Sequence, residues 1–387
     1  MKSENQWDIF CRVIDNYGDI GVCWRLAADL AARGHHIRLW VDDASALAWM
    51  APGALQGNWP RVRIMAWDQA RDPALLPTLP PADVWIEGFG CEIPSEFVAL
   101  RFKASGTAGT DTFPKPIWLN LEYLSAETFT QRAHGLPSPC MHGPATGHTR
   151  YFFYPGFTPR TGGLLRESGL TQRQSRFNRS EWLASHGIGW QGERLVSMFC
   201  YEPAALADLL GLLQRGPERT QLLVSDGRAA AAVRRLLPNQ NALPPSGATD
   251  NPGCLSLNYL APLPQTDFDH LLWSCDLNFV RGEDSLVRAI WAGKPWVWQI
   301  YPQQDDAHHA KLNALLHTLD GAASWRSFHR IWNGIDQSPL PLPDLSGWGW
   351  AASRARHGLM QQDDLTTRLL KFVAAVPVAH QIQAEKS

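Results

Sequence analysis

Short apolar runs alternate with amphipathic segments along most of the chain. The first run covers residues 7–14, a helical pattern of apolar residues follows and stops at Gly34, and a second run covers 36–41. Short apolar runs bounded by turn residues predict buried strands, whereas apolar residues at a 3.6-residue spacing predict amphipathic helices. This succession predicts a βαβ unit of a parallel sheet. The same pattern predicts strands at 62–67, 84–87, 117–121, 195–200, 221–225, 254–260, 276–280 and 295–300.

The regular pattern is interrupted between residues 151 and 178, where Phe, Pro, Gly and Thr follow one another without a clear period. We interpret this stretch as the connection between two domains. A chain of 387 residues is long enough for two α/β domains, each with its own core. The sequence therefore predicts a Rossmann-like domain with its connection at 1–178, a second Rossmann-like domain at 179–345, and helices at 346–378 that pack back on the first domain. The predicted fold class is α/β, with the two Rossmann-like domains facing each other across a cleft.

Composition excludes several classes of function. Charged residues make up 19% of the chain and the formal net charge is −2, so no basic field suits nucleic acid or an anionic membrane. The seven cysteines are scattered and form no CxxC pair, which predicts reduced core residues and no metal site. The N-terminus lacks the apolar segment of a signal peptide, and no window approaches the roughly 20 apolar residues of a membrane helix. We expect a soluble cytoplasmic protein.

A candidate anion site lies around residue 281. The apolar run there ends at Arg281, Gly282 permits a sharp turn, and Glu283, Asp284 and Ser285 are typical of a helix start. The free N–H groups of a helix N-terminus bind anions, and an arginine adds two parallel hydrogen-bond donors that match a phosphate. The alternative is an ordinarily capped helix that follows an exposed, solvated loop arginine.

Other polar residues follow the strands predicted in the second half. Tyr201, Gln265, Tyr301 and Gln303 come after three of these strands, so parallel pairing brings them to the same edge of the sheet as Arg281. Tyrosine offers a ring and a hydroxyl, and glutamine offers an amide edge, for a base or a sugar. Each of them alone has the alternative role of a surface or packing residue.

Acidic residues follow the strands predicted in the first half. The first βα loop contains Asp15 and Asp19 and lacks the G-x-G-x-x-G fingerprint of a dinucleotide site, while Asp42, Glu87 and Glu122 lie at or near the ends of other strands. Their charge disfavours phosphate and favours a cationic group or hydroxyls. The alternative is an Asx-turn at Asp15 and a helix cap at Asp19.

The sequence closely resembles the bacterial protein-arginine rhamnosyltransferases that modify translation elongation factor P. The matching segments span most of the chain and are DNYGDIGV at 15–22, LEYLSAE at 121–127, TGGL at 161–164, RGEDS at 281–285 and IYPQ at 300–303. The resemblance implies a GT-B glycosyltransferase with dTDP-β-L-rhamnose as donor. It also implies an arginine of the elongation factor as acceptor, inversion at the anomeric carbon, and no metal or other cofactor.

The resemblance also implies that Asp15 and Asp19 act on the acceptor and that residues 281–285 hold the diphosphate. Taken with the positions of the polar residues after the predicted strands, this predicts Asp15, Asp19 and Glu283 as catalytic residues. The predicted donor-binding residues are Tyr201, Gln265, Arg281, Glu283, Asp284, Ser285, Tyr301 and Gln303, and the predicted acceptor-binding residues are Asp15, Asn16, Asp19 and Glu122. Two alternatives stay open: a sugar-nucleotide epimerase or a transferase with a small-molecule acceptor, and a non-catalytic adaptor that binds the elongation factor.

Overall fold

A computed structural model of the chain describes residues 4–14, 17–103, 115–238, 254–302 and 307–384. The chain forms two compact α/β units, each built around its own sheet. The first unit comprises Met1–Ser168 and Gln362–Ser387, and the second comprises Gly169–Gln361. The predicted α/β class with two parallel-sheet domains is confirmed.

The sheet of the first unit has the strand order β3-β2-β1-β4-β5-β7-β6. Its strands are β1 (Gln6–Cys11), β2 (His36–Val41), β3 (Val62–Ala66), β4 (Val84–Gly88), β5 (Ile117–Leu121), β6 (Pro137–Pro139) and β7 (Thr149–Phe153). Neighbouring strands are parallel, except that β6 runs antiparallel to β7 at the edge. The order 3-2-1-4-5 is that of a Rossmann fold, in which ligands bind at the carboxyl ends of the strands.

Side chains alternate between two cores on the faces of this sheet. Ile9 packs in one core with residues of α1, and the adjacent Phe10 packs in the other with Trp40 and Phe97. The helices along this part of the chain are α1 (Gly18–Ala32), α2 (Leu47–Met50), α3 (Ser95–Lys103) and α4 (Thr128–Ala133), with short 3₁₀ turns at Trp67–Arg71 and Leu76–Thr78. Gly88 permits close pairing of β4 with β1, because a Cβ there would lie 2.8 Å from the carbonyl oxygen of Phe10.

The second unit repeats the Rossmann order in a sheet of parallel strands, β10-β9-β8-β11-β12. Its strands are β8 (Arg194–Met198), β9 (Thr220–Val224), β10 (Leu255–Tyr259), β11 (Leu277–Arg281) and β12 (Trp296–Gln299). Its helices are α5 (Leu170–Arg176), α6 (Arg179–Ser185), α7 (Leu206–Arg215), α8 (Arg228–Leu236), α9 (Gln265–Ser274), α10 (Gly282–Ala292), α11 (Ala307–Thr318), α12 (Ala323–Trp332) and α13 (Leu345–Met360). The strands β8, β11 and β12 are neighbours, so their carboxyl ends lie together.

The boundaries of the two units differ from the predicted domain boundaries, both at the connection between the units and near the C-terminal helices. Residues 169–178 belong to the second unit, because α5 is bound there: the Gln174 side-chain amide donates to the Trp291 carbonyl at 2.7 Å. Helix α13 also belongs to the second unit, where Arg356 donates to the same carbonyl at 2.9 Å and to Gln174 at 2.7 Å. Only the last helix, α14 (Leu365–Ala384), returns to the first unit, where Leu365 and Leu369 enter its core.

The predicted strands are all found, β2 and β5 with the predicted ends and the others with ends shifted by one or more residues. The strands β6 and β7 and the helices α11 and α12 were not predicted, and β7 overlaps the start of the segment interpreted as the domain connection. Within the described ranges, no helix has the length and hydropathy required to cross a membrane.

Candidate active site

The second unit contains the predicted strand, turn and helix around residue 281. Gly282 adopts a left-handed φ of 64°, which turns the chain from β11 directly into α10. The Ser285 hydroxyl closes this turn, since it accepts the Arg281 N–H at 3.1 Å and donates to the Arg281 carbonyl. The Trp298 indole N–H donates to the Gly282 carbonyl at 2.7 Å. The N-terminus of α10 is therefore fixed at the carboxyl end of the sheet, where its N–H groups favour an anion.

Arg281 is the last residue of β11 and is 7% exposed. The expectation of an exposed loop arginine is therefore wrong, because the strand continues one residue further than predicted and pairs Arg281 with Gln299 of β12. The guanidinium carbon lies 4.5 Å from the ring centre of Phe199 and 4.6 Å from that of Tyr201. Both contacts are cation–π interactions, which orient the charge without neutralising it.

The aromatic residues predicted for the donor lie around this arginine. Tyr201 is buried, and its backbone N–H donates to the Gln299 side chain at 2.8 Å. Tyr301 is half exposed and meets Tyr201 edge to face, with the ring centres 5.6 Å apart. The structure therefore brings Tyr201, Arg281 and Tyr301 together at the ends of three neighbouring strands.

The other residues predicted to bind the donor lie on separate elements. Asp284 lies in the first turn of α10, and Gln265 is the first residue of α9, which follows the edge strand β10. Gln303 lies outside the described residues.

Glu283 has a cationic partner that was not predicted from the sequence. The Lys311 Nζ atom of α11 lies 2.5 Å from Oε1 of Glu283, and both side chains are largely buried. The two residues are 28 positions apart, so no local pattern in the sequence indicates the pair.

Helix α10 is held in place by a buried ion pair. The Nε and Nη2 atoms of Arg288 donate to the two carboxylate oxygens of Asp269 in α9, at 2.8 and 2.6 Å. Both side chains are 1% exposed. The helix that begins at the candidate anion site is thus also fixed at Arg288, in its second turn.

In the first unit, Asp19 lies in the first turn of α1 and is 3% exposed. Its Oδ2 atom accepts the Ile14 backbone N–H at 2.9 Å, so the carboxylate is oriented by the loop between β1 and α1. Asp42 orients the same loop, because it accepts the Val13 N–H at 2.9 Å. Asp15 and Asn16 lie between these contacts in sequence but outside the described residues.

The negative charge at this end of β1 helps to raise the pKa of a neighbouring thiol. Cys11 is the last residue of β1, and its pKa is raised by a hydrogen bond with Cys23, by burial, and by the charges of Cys23, Asp19 and Asp42. Both aspartates therefore act on the same carboxyl edge of the sheet, and a cation would be attracted to it.

Two glutamates lie at the ends of the adjacent strands β4 and β5. Burial raises the pKa of Glu87, although this carboxylate accepts a hydrogen bond from Trp118 at 3.1 Å and from Arg150 at 3.4 Å. Burial also raises the pKa of Glu122, and the charge of Glu87 raises it further. The Asn120 amide donates to Glu122 at 2.8 Å. The predicted edge of carboxylates in the first unit is therefore present for Asp19, Asp42, Glu87 and Glu122.

These arrangements support different chemistry in the two units. The second unit presents a fixed guanidinium and a helix N-terminus, which can bind a diphosphate, beside aromatic rings that can bind a base. The first unit presents a group of carboxylates, of which Asp19 and Glu87 are buried and Glu122 is partly buried, and carboxylates can bind a guanidinium and accept a proton.

Comparison with known proteins identifies the family. Residues 7–374 match the family model described as Elongation-Factor P (EF-P) rhamnosyltransferase EarP. The chain belongs to the EarP family. It is 41% identical to the protein-arginine rhamnosyltransferase of Pseudomonas aeruginosa, over 95% of this chain and 98% of that protein. It is 35% identical to the one from Neisseria meningitidis, over 95% of this chain and 96% of that protein.

Solved structures agree with this assignment. A structure that describes EarP-mediated arginine glycosylation of translation elongation factor EF-P matches with a TM-score of 0.58 and 29% identity, over 95% of this chain and 98% of that one. The Arabidopsis thaliana glycosyltransferase UGT89C1 matches with a TM-score of 0.52 at 10% identity and supports the fold alone. The chain is thus a GT-B glycosyltransferase of the protein-arginine rhamnosyltransferase family, which removes the epimerase and the non-catalytic adaptor from the alternatives.

Proposed function

We propose that this glycosyltransferase moves L-rhamnose from dTDP-β-L-rhamnose to an arginine side chain of translation elongation factor EF-P, with inversion at the anomeric carbon and without a metal. The observation that carries the donor assignment is the Arg281 guanidinium, which contacts two aromatic rings at the N-terminus of α10. The similarity to a protein described as acting on EF-P supports the acceptor.

The second unit binds the donor in this proposal. Arg281 and the first N–H groups of α10 bind the diphosphate, and they stabilise the negative charge that grows on departing dTDP. Tyr201 and Tyr301 form the aromatic surroundings of the nucleotide, to which Gln265 and Gln303 contribute amide groups. Glu283 lies beside the diphosphate and contacts the sugar.

The first unit acts on the acceptor. A guanidinium is a poor nucleophile, since its pKa exceeds about 12 and its lone pairs are delocalised, so no carboxylate deprotonates it beforehand. A carboxylate can instead orient one nitrogen towards the anomeric carbon and accept the proton while the bond forms. Asp19 has this role, because Ile14 fixes one carboxylate oxygen and the residue is almost fully buried. Asp15, Asn16 and Glu122 bind and polarise the guanidinium.

The bonds balance as a single displacement. A guanidinium nitrogen forms the new bond to the anomeric carbon while the bond from that carbon to the diphosphate oxygen breaks. The nitrogen loses a proton to Asp19, and dTDP leaves with the electron pair. Attack opposite to the leaving group converts the β-linked donor into an α-linked product.

The experiment that tests this proposal follows donor consumption and acceptor mass in one reaction. The purified protein is incubated with dTDP-β-L-rhamnose and EF-P, and released dTDP is compared with the intact mass of EF-P. The proposal requires one dTDP for each added deoxyhexose. Release of dTDP without a mass gain on EF-P would instead support a transferase with a small-molecule acceptor or plain hydrolysis. If no dTDP is released and EF-P gains no mass, the donor assignment is overturned.

A further inference from the structure

The ion pair between Lys311 and Glu283 is short and largely buried. Its Nζ and Oε1 atoms are 2.5 Å apart, and the two side chains are 22% and 17% exposed. The ion pair of Arg330 with Asp336 in the same unit, by contrast, leaves more than a third of each side chain exposed. The charged groups of Lys311 and Glu283 therefore face each other where water is largely excluded.

This carboxylate lies at the place where a negative charge is least favourable for the donor. Glu283 is in the first turn of α10, two residues after Arg281. Lys311 is in α11, which follows β12, and β12 pairs with β11 so that Gln299 lies opposite Arg281. Both members of the pair therefore come from helices that follow neighbouring strands, at the edge of the sheet assigned to the diphosphate.

A carboxylate and a diphosphate repel each other, and this repulsion is strong where water is largely excluded. A bound lysine removes most of the repulsion and fixes the direction of the carboxylate. We propose that Lys311 is a positioning residue for the donor: it compensates the charge of Glu283, so that a nucleoside diphosphate can bind beside this carboxylate, and orients Glu283 towards the sugar. This inference rests on the proposed function.

The test compares a charged and an uncharged ligand. Isothermal titration calorimetry measures the affinity of the full-length protein for dTDP and for thymidine, in the wild type and in Lys311→Met. Lys311→Met removes the positive charge that lies 2.5 Å from the Glu283 carboxylate, so dTDP affinity is expected to fall roughly 10- to 100-fold. Thymidine carries no diphosphate, and its affinity is expected to stay unchanged.

A double variant separates charge compensation from a structural role. In the Lys311→Met background, Glu283→Gln removes the negative charge that faces the diphosphate, so dTDP affinity is expected to recover although the donor site has lost a second native side chain. Lys311→Arg keeps the positive charge and is expected to bind dTDP nearly as tightly as the wild type. Glu283→Gln alone is expected to lower turnover without weakening dTDP binding. If Lys311→Met fails to fold, Lys311→Arg and the double variant, in which both members of the pair are neutral, decide the question.

The matched control is Lys371→Met, which breaks an exposed pair with Asp363 of similar length, 2.6 Å. It is expected to leave both affinities unchanged. The inference is overturned if Lys311→Met binds dTDP as tightly as the wild type, if dTDP and thymidine weaken equally, or if the double variant binds dTDP more weakly than Lys311→Met. A wild-type protein that does not bind dTDP would instead overturn the proposed donor, and this outcome is distinct from the others.

Discussion

The guanidinium carbon of Arg281 lies 4.6 Å from the ring centre of Tyr201, whose backbone N–H is bound by Gln299 of the neighbouring strand. Because ring and arginine are both held by the sheet, the charge at the N-terminus of α10 is oriented before an anion arrives. Little side-chain entropy then has to be lost on binding.

This relationship predicts how Arg281 affects donor affinity. Arg281→Met keeps an apolar side chain against the two rings but removes the charge and the paired donors. We expect dTDP affinity to fall by about 1.5–3 kcal/mol, the usual contribution of a hydrogen bond to a charged group. Calorimetric titration with dTDP measures this loss, and Arg330→Met, on helix α12, is the control. A folded Arg281→Met protein with native dTDP affinity would contradict the diphosphate assignment.

A second prediction concerns Asp19 as the proton acceptor. In Asp19→Asn the side-chain oxygen can still accept the Ile14 N–H, so the loop is expected to keep its structure, while the negative charge and the base are lost. We expect the transfer rate to fall by about 10²–10⁴, with dTDP affinity nearly unchanged.

The control for this prediction is Asp42→Asn. Asp42 also accepts a backbone N–H of the same loop, at 2.9 Å, but has no assigned role as a base. Single-turnover assays on both variants separate a chemical from a structural role. Near-native transfer by Asp19→Asn, or an equal loss in both variants, would show that Asp19 only orients the loop.

The third prediction compares two ion pairs of similar geometry and different burial. Arg288 binds both oxygens of Asp269 in the core, and Arg330 binds both oxygens of Asp336 on the surface. Arg288→Met removes two charge-assisted hydrogen bonds from the buried Asp269 carboxylate and leaves it the longer contact with Arg173, at 3.7 Å. We expect this change to lower the unfolding free energy by about 3 kcal/mol. Arg330→Met exposes its partner to water and is expected to change little. Denaturation by urea measures both, and equal losses would contradict this account.

The fourth prediction is a dependence of stability on pH. His329 is fully buried between the Trp298 N–H and the Trp325 carbonyl, and burial lowers its pKa to about 4 from the ordinary 6.5. Between pH 6.5 and 4 the unfolded chain therefore takes up a proton that the folded chain does not, and acidification favours unfolding. This residue alone is expected to contribute about 3 kcal/mol that is present above pH 6.5 and lost towards pH 4.

His329→Gln keeps a side-chain acceptor for the Trp298 N–H but cannot be protonated in this range. Its unfolding free energy is expected to be lower than that of the wild type at pH 7 and to vary less between pH 6.5 and 4. Urea denaturation at several pH values measures the two slopes. Equal slopes would show that other groups cause the acid sensitivity.

The sequence predicted those parts of the site that arise from local order. Arg281, Gly282 and Ser285 lie within five positions, and their order alone indicates a strand, a turn and a helix start. The two rings beside Arg281, Phe199 and Tyr201, belong to the segment that follows β8, about 80 positions earlier, so the burial of this arginine could not be predicted from its own segment. Lys311 was missed for the same reason, because its partner lies on another helix.

Parts of the fold could also not be predicted from the local sequence. Edge strand β6 has only three residues and contains Pro137 and Pro139, which weaken a strand pattern although prolines are tolerated at a sheet edge. Helices α13 and α14 both have an apolar face in the sequence, but the pattern does not say which core receives it. The contacts of Arg356 with α5 and α10 place α13 in the second unit, and the contact of Arg33 with Asp364, at 2.7 Å, binds the start of α14 to the first.

The central claim is that this chain attaches rhamnose to an arginine nitrogen of EF-P. Tandem mass spectrometry of EF-P after incubation with the wild-type protein and dTDP-β-L-rhamnose tests it most directly, because fragment ions assign the added sugar to one residue. The account predicts one added deoxyhexose on an arginine side chain, and none with Asp19→Asn over the same time. A sugar on a lysine or a hydroxyl residue, or unmodified EF-P after complete consumption of the donor, would contradict it.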